Sequence, residues 1–170
     1  LRRQRQMCIR DSYQVTDAMC LPKPVQSPHP PIMIGGTGRK VLLRLVAQYA
    51  DMWNSNKSAE QMAELIAVIR RHGDAVGRDT SRIENTMMMP LGYKAPKEVE
   101  DFLCAVTANM LETTPQEARK AIMIGDKQEC LDTVERYQKA GVTHFIFMLM
   151  APYDLEQIEA FAGDVIPAVR

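Results

Sequence analysis

Short apolar runs alternate along this chain with longer stretches in which apolar residues recur every three or four positions. Ile32-Met33-Ile34 is a run without polar alternation, the pattern of a strand buried on both faces of a parallel sheet. Gly35-Gly36-Thr37-Gly38 follows, and a helix is predicted from about Arg39 to Ala50, burying Val41, Leu42, Leu45, Val46 and Tyr49. Thr37 is placed as its N-cap. Asp51 to Asn54 reads as a second short strand, with Ser55-Asn56-Lys57 as its loop. Ser58 to Gln61 has the form of a capping box, and the helix it opens puts Met62, Leu65, Ile66 and Ile69 on one face before Gly73 and Gly77 break it.

Ile83 to Pro90 is predicted as a third strand, buried at Thr86 to Met89 and leaving through Leu91-Gly92-Tyr93. Pro96 opens a helix that carries Val99, Phe102, Leu103, Val106 and Met110 at helical spacing, and Thr114-Pro115 opens a short one to about Ile122. Asp126 caps the next, with Leu131, Val134 and Tyr137 inward and Gly141 closing it. Thr143 to Met150 is the strongest strand signal, with Ala151-Pro152-Tyr153 as its exit loop. Asp154 then caps a last helix carrying Leu155, Ile158 and Phe161. This rhythm amounts to four β–α units, which require parallel strands joined by helical crossovers. An open doubly wound α/β sheet and half of a closed eight-stranded barrel both satisfy it. The two successive helices after the third strand mark an insertion.

The first residues stand apart. Leu1 to Ser12 has four arginines in its first ten positions and no apolar period, and Gln4 to Ser12 resembles translated sequencing-adapter read-through. Residues 1–12 are therefore expected to be a non-native or disordered tail, with the domain over 13–170. Tyr13 to Pro31 holds five prolines, which favour extended chain, and His29 among them reads as a surface or packing residue.

Composition narrows the function classes. Lys plus Arg and Asp plus Glu number 21 each, so nothing in the charge points to nucleic acid or an anionic membrane surface as a partner. No apolar run approaches the roughly 20 residues of a membrane span. The four cysteines lack a C-x-x-C pair, so no metal site and no disulfide framework is expected, and a reduced, cytoplasmic protein is. The twelve methionines are read as adaptable core filler.

Candidate chemistry centres on the glycine turn. Gly35, Gly36 and Gly38 let bare N–H groups approach a ligand, and Thr37, Arg39 and Lys40 add a hydroxyl and two cations. Together with a helix N-terminus they form an anion site, most often for phosphate. The spacing is neither G-x-G-x-x-G nor a P-loop. Weaker candidates for a substrate pocket end the second strand: Trp53, for which a core role and a ring-stacking role are both open, with Asn54 and Lys57. No Ser/His/Asp set, carboxylate pair or metal cluster is visible, so no catalytic residue is assigned.

Four stretches carry a resemblance: P-x-x-I-G-G-x-G at Pro31 to Gly38, Tyr49-Ala50-Asp51-Met52-Trp53-Asn54, I-G-D-x-x-E-C at Ile124 to Cys130, and G-V-T-H-F-I-F at Gly141 to Phe147. In order and spacing they resemble the luciferase-like oxidoreductases, best the subset using a deazaflavin coenzyme, over about Lys23 to Arg170. The resemblance implies the C-terminal half of a (β/α)8 TIM barrel. It also implies a flavin-type oxidoreductase or monooxygenase acting on a small-molecule substrate, with the deazaflavin coenzyme F-420 favoured over FMN. The glycine turn from Gly35 to Arg39 would hold the coenzyme phosphate. The family's proton-handling residues lie in the other half of the barrel. A homo-oligomer is expected of the full-length enzyme, and the fragment alone is expected to be inactive. Two further readings stand beside it: a non-catalytic phosphate-binding or assembly module with a half-barrel fold, and an unrelated doubly wound α/β protein.

Overall fold

A computed structural model describes Met19, residues 21–150 and residues 154–169. The tail at 1–12 and the exit loop at 151–153 lie outside the described residues. The chain divides into two units, Leu1–Pro30 and Pro31–Arg170. The described part of the first has no helix or strand, as its prolines require. Within it the His29 ring donates from Nδ1 to the Pro30 carbonyl at 2.8 Å.

The second unit runs β1 (Met33–Gly35), α1 (Leu42–Tyr49), β2 (Met52–Ser55), α2 (Ala59–Val76), β3 (Glu84–Tyr93), α3 (Lys97–Leu111), α4 (Pro115–Ala118), β4 (Met123–Gly125), α5 (Lys127–Lys139), β5 (His144–Met148) and α6 (Leu155–Asp164). All pairings are parallel. β1 pairs β2, β2 pairs β3, and β3 pairs β5 from Thr86↔His144 to Pro90↔Met148. Beyond that, the end of β3 pairs β4 from Leu91↔Met123 to Tyr93↔Gly125. Strand alternation sends Trp53, Met87 and Met89 into one apolar core with Leu43 and Val46 of α1, and Met62, Leu65 and Ile69 of α2. A smaller cluster of Leu103, Cys104, Ile122 and Ile124 sits under the insertion.

Caps were legible. Ser58 accepts from the Gln61 N–H, Thr114 from the Glu117 N–H with Pro115 at the helix start, and Asp154 from the Gln157 N–H. Asp126 and Glu129 form a full capping box, and Gly141 takes φ +96° just past α5. Other expectations need correction. β1 is not buried on both faces: Met33 is 44% exposed, because among the described residues β1 pairs only with β2. α1 starts at Leu42 and buries Leu43, Val46, Ala47 and Ala50, whereas Val41, Leu45 and Tyr49 are exposed. Both sets have helical spacing, and the packing partner selected between them. Gly73 does not break α2; it lies inside it, buried, where an added Cβ would stand 2.8 Å from the Arg78 carbonyl oxygen. Gly77 ends the helix in the left-handed conformation.

Leu91-Gly92-Tyr93 is not a loop but the end of β3, stabilised by pairing with β4, a strand the periodicity did not indicate. Three residues are too few to show a period. Of the five apolar residues at helical spacing on α3 only Leu103 is buried; Val99, Phe102 and Met110 are exposed. On α6 Phe161 is buried and Leu155 exposed.

Candidate functional site

Parallel strands deliver their following loops to one end of the sheet, so the residues after Gly35 and Ser55 share that end. The glycine turn is held there by consecutive residues of β2. Gly36 donates its N–H to the Asn54 carbonyl at 3.0 Å, and its own carbonyl accepts from the Trp53 indole N–H at 2.8 Å. Its φ of +120° is one that side chains rarely adopt, and an added Cβ would meet Leu42 Cδ1 at 3.0 Å. Gly38 accepts from the Leu43 N–H at 3.0 Å, and an added Cβ there would lie 3.4 Å from Leu42 Cβ.

Thr37 does not cap α1. Residues 39–41 form an intervening turn, and the N-cap position falls to Val41, which makes no side-chain cap. The N–H groups of Thr37, Gly38, Arg39 and Lys40 have no acceptor among the described residues. Arg39 is fixed from α2 at two points: its guanidinium pairs with Glu64 at 2.7 Å, and its carbonyl accepts from the His72 ring at 2.8 Å. Lys40 is exposed. The turn thus presents four backbone donors without acceptors among the described residues and two cations, one already paired.

The other candidates separate. Trp53 is fully buried, so it offers no ring face to a ligand; its place among the core residues, with the indole N–H on Gly36, decides for the interior role. Asn54 projects from the opposite face of β2 and donates to Thr86 Oγ1 at 2.7 Å, tying β2 to β3. Lys57 is half-buried, and its ammonium makes no ion pair among the described residues. Its carbonyl accepts from the Tyr137 hydroxyl at 3.2 Å, a phenol that burial pushes up to about 12. Sequence reasoning missed Glu64 and His72 as holders of the turn. They lie 25 and 33 residues from Arg39, and no local signal links them to it.

The end of β3 carries a second polar group. Tyr93 Oη and Lys94 Nζ both donate to Asp164 Oδ2, at 2.7 and 2.9 Å. These bonds hold the Asp164 carboxyl below its ordinary range, and the bond to Asp164 raises Lys94. Lys94 is thereby neutralised at short range. A cleft of about 480 Å³ lies nearby, lined by Leu91, Val99, Phe102, Leu149, Met150 and Ile158 among others. His144, at the entry of β5, lies 3.6 Å from Glu84 at the opposite end of the strands. Among the described residues no group of His, Cys, Asp and Glu could hold a metal ion. No helix among them is long and apolar enough to cross a membrane.

Parallel β–α units of this kind define a class, the (β/α)-barrel proteins, in which ligands bind on the loops at the carboxyl ends of the strands. Within that class the chain belongs to the luciferase-like monooxygenase family, whose model matches residues 9–99. It is 24% identical over 188 residues to an F420-dependent glucose-6-phosphate dehydrogenase of Segniliparus rotundus, covering 93% of this chain and 53% of that protein. Among solved structures, it is similar to an F420-dependent secondary alcohol dehydrogenase in complex with an F420-acetone adduct, with TM-score 0.73 and 20% identity over 96% of this chain and 55% of the other. It is likewise similar to the coenzyme F420-dependent tetrahydromethanopterin reductase of Methanopyrus kandleri, with TM-score 0.62 and 16% identity over 82% and 51%. A monooxygenase from Streptomyces bottropensis gives TM-score 0.65 and 16% identity over 88% and 51%. The chain thus spans about half the length of the relatives it matches, and its fold is that of half a (β/α)8 barrel.

Proposed function

We propose that this chain supplies the phosphate-binding side of the coenzyme site in a luciferase-like oxidoreductase, with F420 as the coenzyme and FMN as the alternative. The observation that carries the reading is the row of N–H groups from Thr37 to Lys40 that have no acceptor among the described residues. The turn fits a phosphate by its donors, by the absence of any carboxylate between Gly35 and Lys40, and by the exposed cation of Lys40, Arg39 being paired with Glu64. F420 is preferred because it appears in the names of the curated relative and of two of the similar structures. When bound, such a coenzyme carries the hydride or oxygen chemistry, and the protein supplies position and electrostatics. Here Gly35 to Arg39 anchor the phosphate, and Lys57, on the loop after β2 at the same end of the sheet, is the remaining candidate for a substrate contact. The catalytic groups are assigned to the other half of the barrel. Free, buried thiols at Cys104 and Cys130 suit a reducing, cytoplasmic compartment.

The test is amide NMR of the 15N-labelled chain during titration with F420 and, separately, FMN. Shifts concentrated at Thr37 to Lys40, reduced in Gly38→Val, are the expected result. Binding that leaves those four amides unmoved would overturn the placement of the phosphate. Shifts at the turn produced equally by inorganic phosphate alone would favour a phosphate-binding module over a coenzyme site.

A further inference from the structure

The only tryptophan in the chain lies directly beneath the glycine turn and spends its one polar atom on it. Trp53 is fully buried, its indole N–H donating to the Gly36 carbonyl at 2.8 Å, while the next residue of the strand, Asn54, accepts the Gly36 N–H at 3.0 Å. Gly36 is therefore gripped on both sides of its α-carbon by two consecutive residues of β2, across a parallel pairing that aligns Gly35 with Asn54. Gly36 there has φ +120°, and the next four N–H groups have no acceptor among the described residues. An open glycine turn would otherwise sample many conformations, since glycine restricts the backbone least. Ordering it only when ligand arrives would cost affinity.

We infer that Trp53 is a positioning residue: its indole N–H···O=C bond to Gly36 preforms the anion-binding turn before any ligand is present. The inference rests on the proposed phosphate role of the turn, and it assigns to a core tryptophan a function distinct from filling space. A phenylalanine at 53 would keep an aromatic ring in the core and delete only the donor, leaving the Gly36 carbonyl short of a partner.

The test compares Trp53→Phe with Val134→Ala, a control that trims a buried side chain on α5. Without ligand, hydrogen exchange at the Gly36 N–H is expected to speed up about tenfold in Trp53→Phe relative to global stability, with the Thr37 and Gly38 amides shifted; Val134→Ala should leave all three in place. With FMN as probe, Trp53→Phe should bind about tenfold more weakly and Val134→Ala like the parent chain. Unmoved turn amides in Trp53→Phe overturn the inference whatever happens to affinity. Turn amides that move in a chain whose parent binds no FMN support the positioning role and count against the phosphate reading alone. Should Trp53→Phe fail to fold, the parent chain answers: its single indole N–H resonance must exchange slowly with solvent, and rapid exchange overturns the inference.

Discussion

Two strands of this molecule have the same sequence, Met-Ile-Gly, and end in turns of opposite chemistry. β1 runs into Gly36-Thr37-Gly38-Arg39-Lys40, whose N–H groups from Thr37 onward have no acceptor among the described residues. β4 runs into Asp126 and Glu129, which take up the N–H groups at the start of α5 themselves. Asp126 accepts from the Glu129 N–H at 3.0 Å, and Glu129 from the Asp126 N–H at 3.1 Å. On the proposed reading the first turn would take an external anion, whereas the second already holds two internal ones. Burial follows the same division. β1 is half-exposed with one neighbour among the described residues, while β4 is buried throughout. A strand followed by glycine therefore announces a turn near a helix start, and the residues after the glycine decide whether a ligand can use it.

The largest effect should come from the closed turn. Gly125 has φ +104°, and an added Cβ would collide with the Glu129 carboxylate. Gly125→Val is expected to cost about 3 kcal/mol, combining left-handed strain with loss of the cap, as read from urea midpoints. An unchanged midpoint would mean that the second turn is not locked as described. Next comes an exchange of character. Gly38→Asp puts a carboxylate among the free donors of the first turn, and should weaken F420 or FMN binding at least about tenfold while leaving the urea midpoint near the parent value. Retained affinity would show that the turn does not face the phosphate. In the opposite direction, Asp126→Ala removes the cap of α5 and should cost about 1 kcal/mol, visible as a lower melting temperature.

The smallest effect appears only in alkali. Cys130, at the start of α5, has its thiol pushed up to about 11, first by burial and then by Glu129 and Asp126. A raised folded-state pKa means that the folded chain holds the proton more tightly than the unfolded one. This contribution to stability is full below the ordinary value of 9.0 and is lost as pH rises toward about 11. Cys130→Ala should decline less steeply than the parent across that window. Iodoacetamide at pH 8 should label Cys130 only after unfolding. Rapid native labelling would show a thiolate stabilised by the helix N-terminus, and the contrast between the two turns would fail.

How much of this was legible depended on the distance over which each residue acts. Ser58, Thr114, Asp126 and Asp154 each bond an N–H three residues ahead, and the sequence identified all four caps. The fold class followed from the β–α rhythm and from motifs spread over most of the chain. The inward face of α1 did not, because Leu42, Leu45 and Tyr49 are spaced as well for burial as Leu43, Val46 and Ala50. The glycine turn was found, but not its supports: Trp53, Glu64 and His72 reach it across 17, 25 and 33 residues.

Sequence alone thus determined four of the helix caps, the parallel α/β class and the position of the glycine turn, since each is written in residues within a few positions of one another. Tertiary structure alone decided that β3 continues through Tyr93 against β4, that Trp53 lies in the core, and that the donors after Gly36 stay free. Those outcomes depend on which strand lies beside which, and on which carbonyl a buried N–H can reach. Neighbours in space settle them, and a one-dimensional pattern does not contain those neighbours.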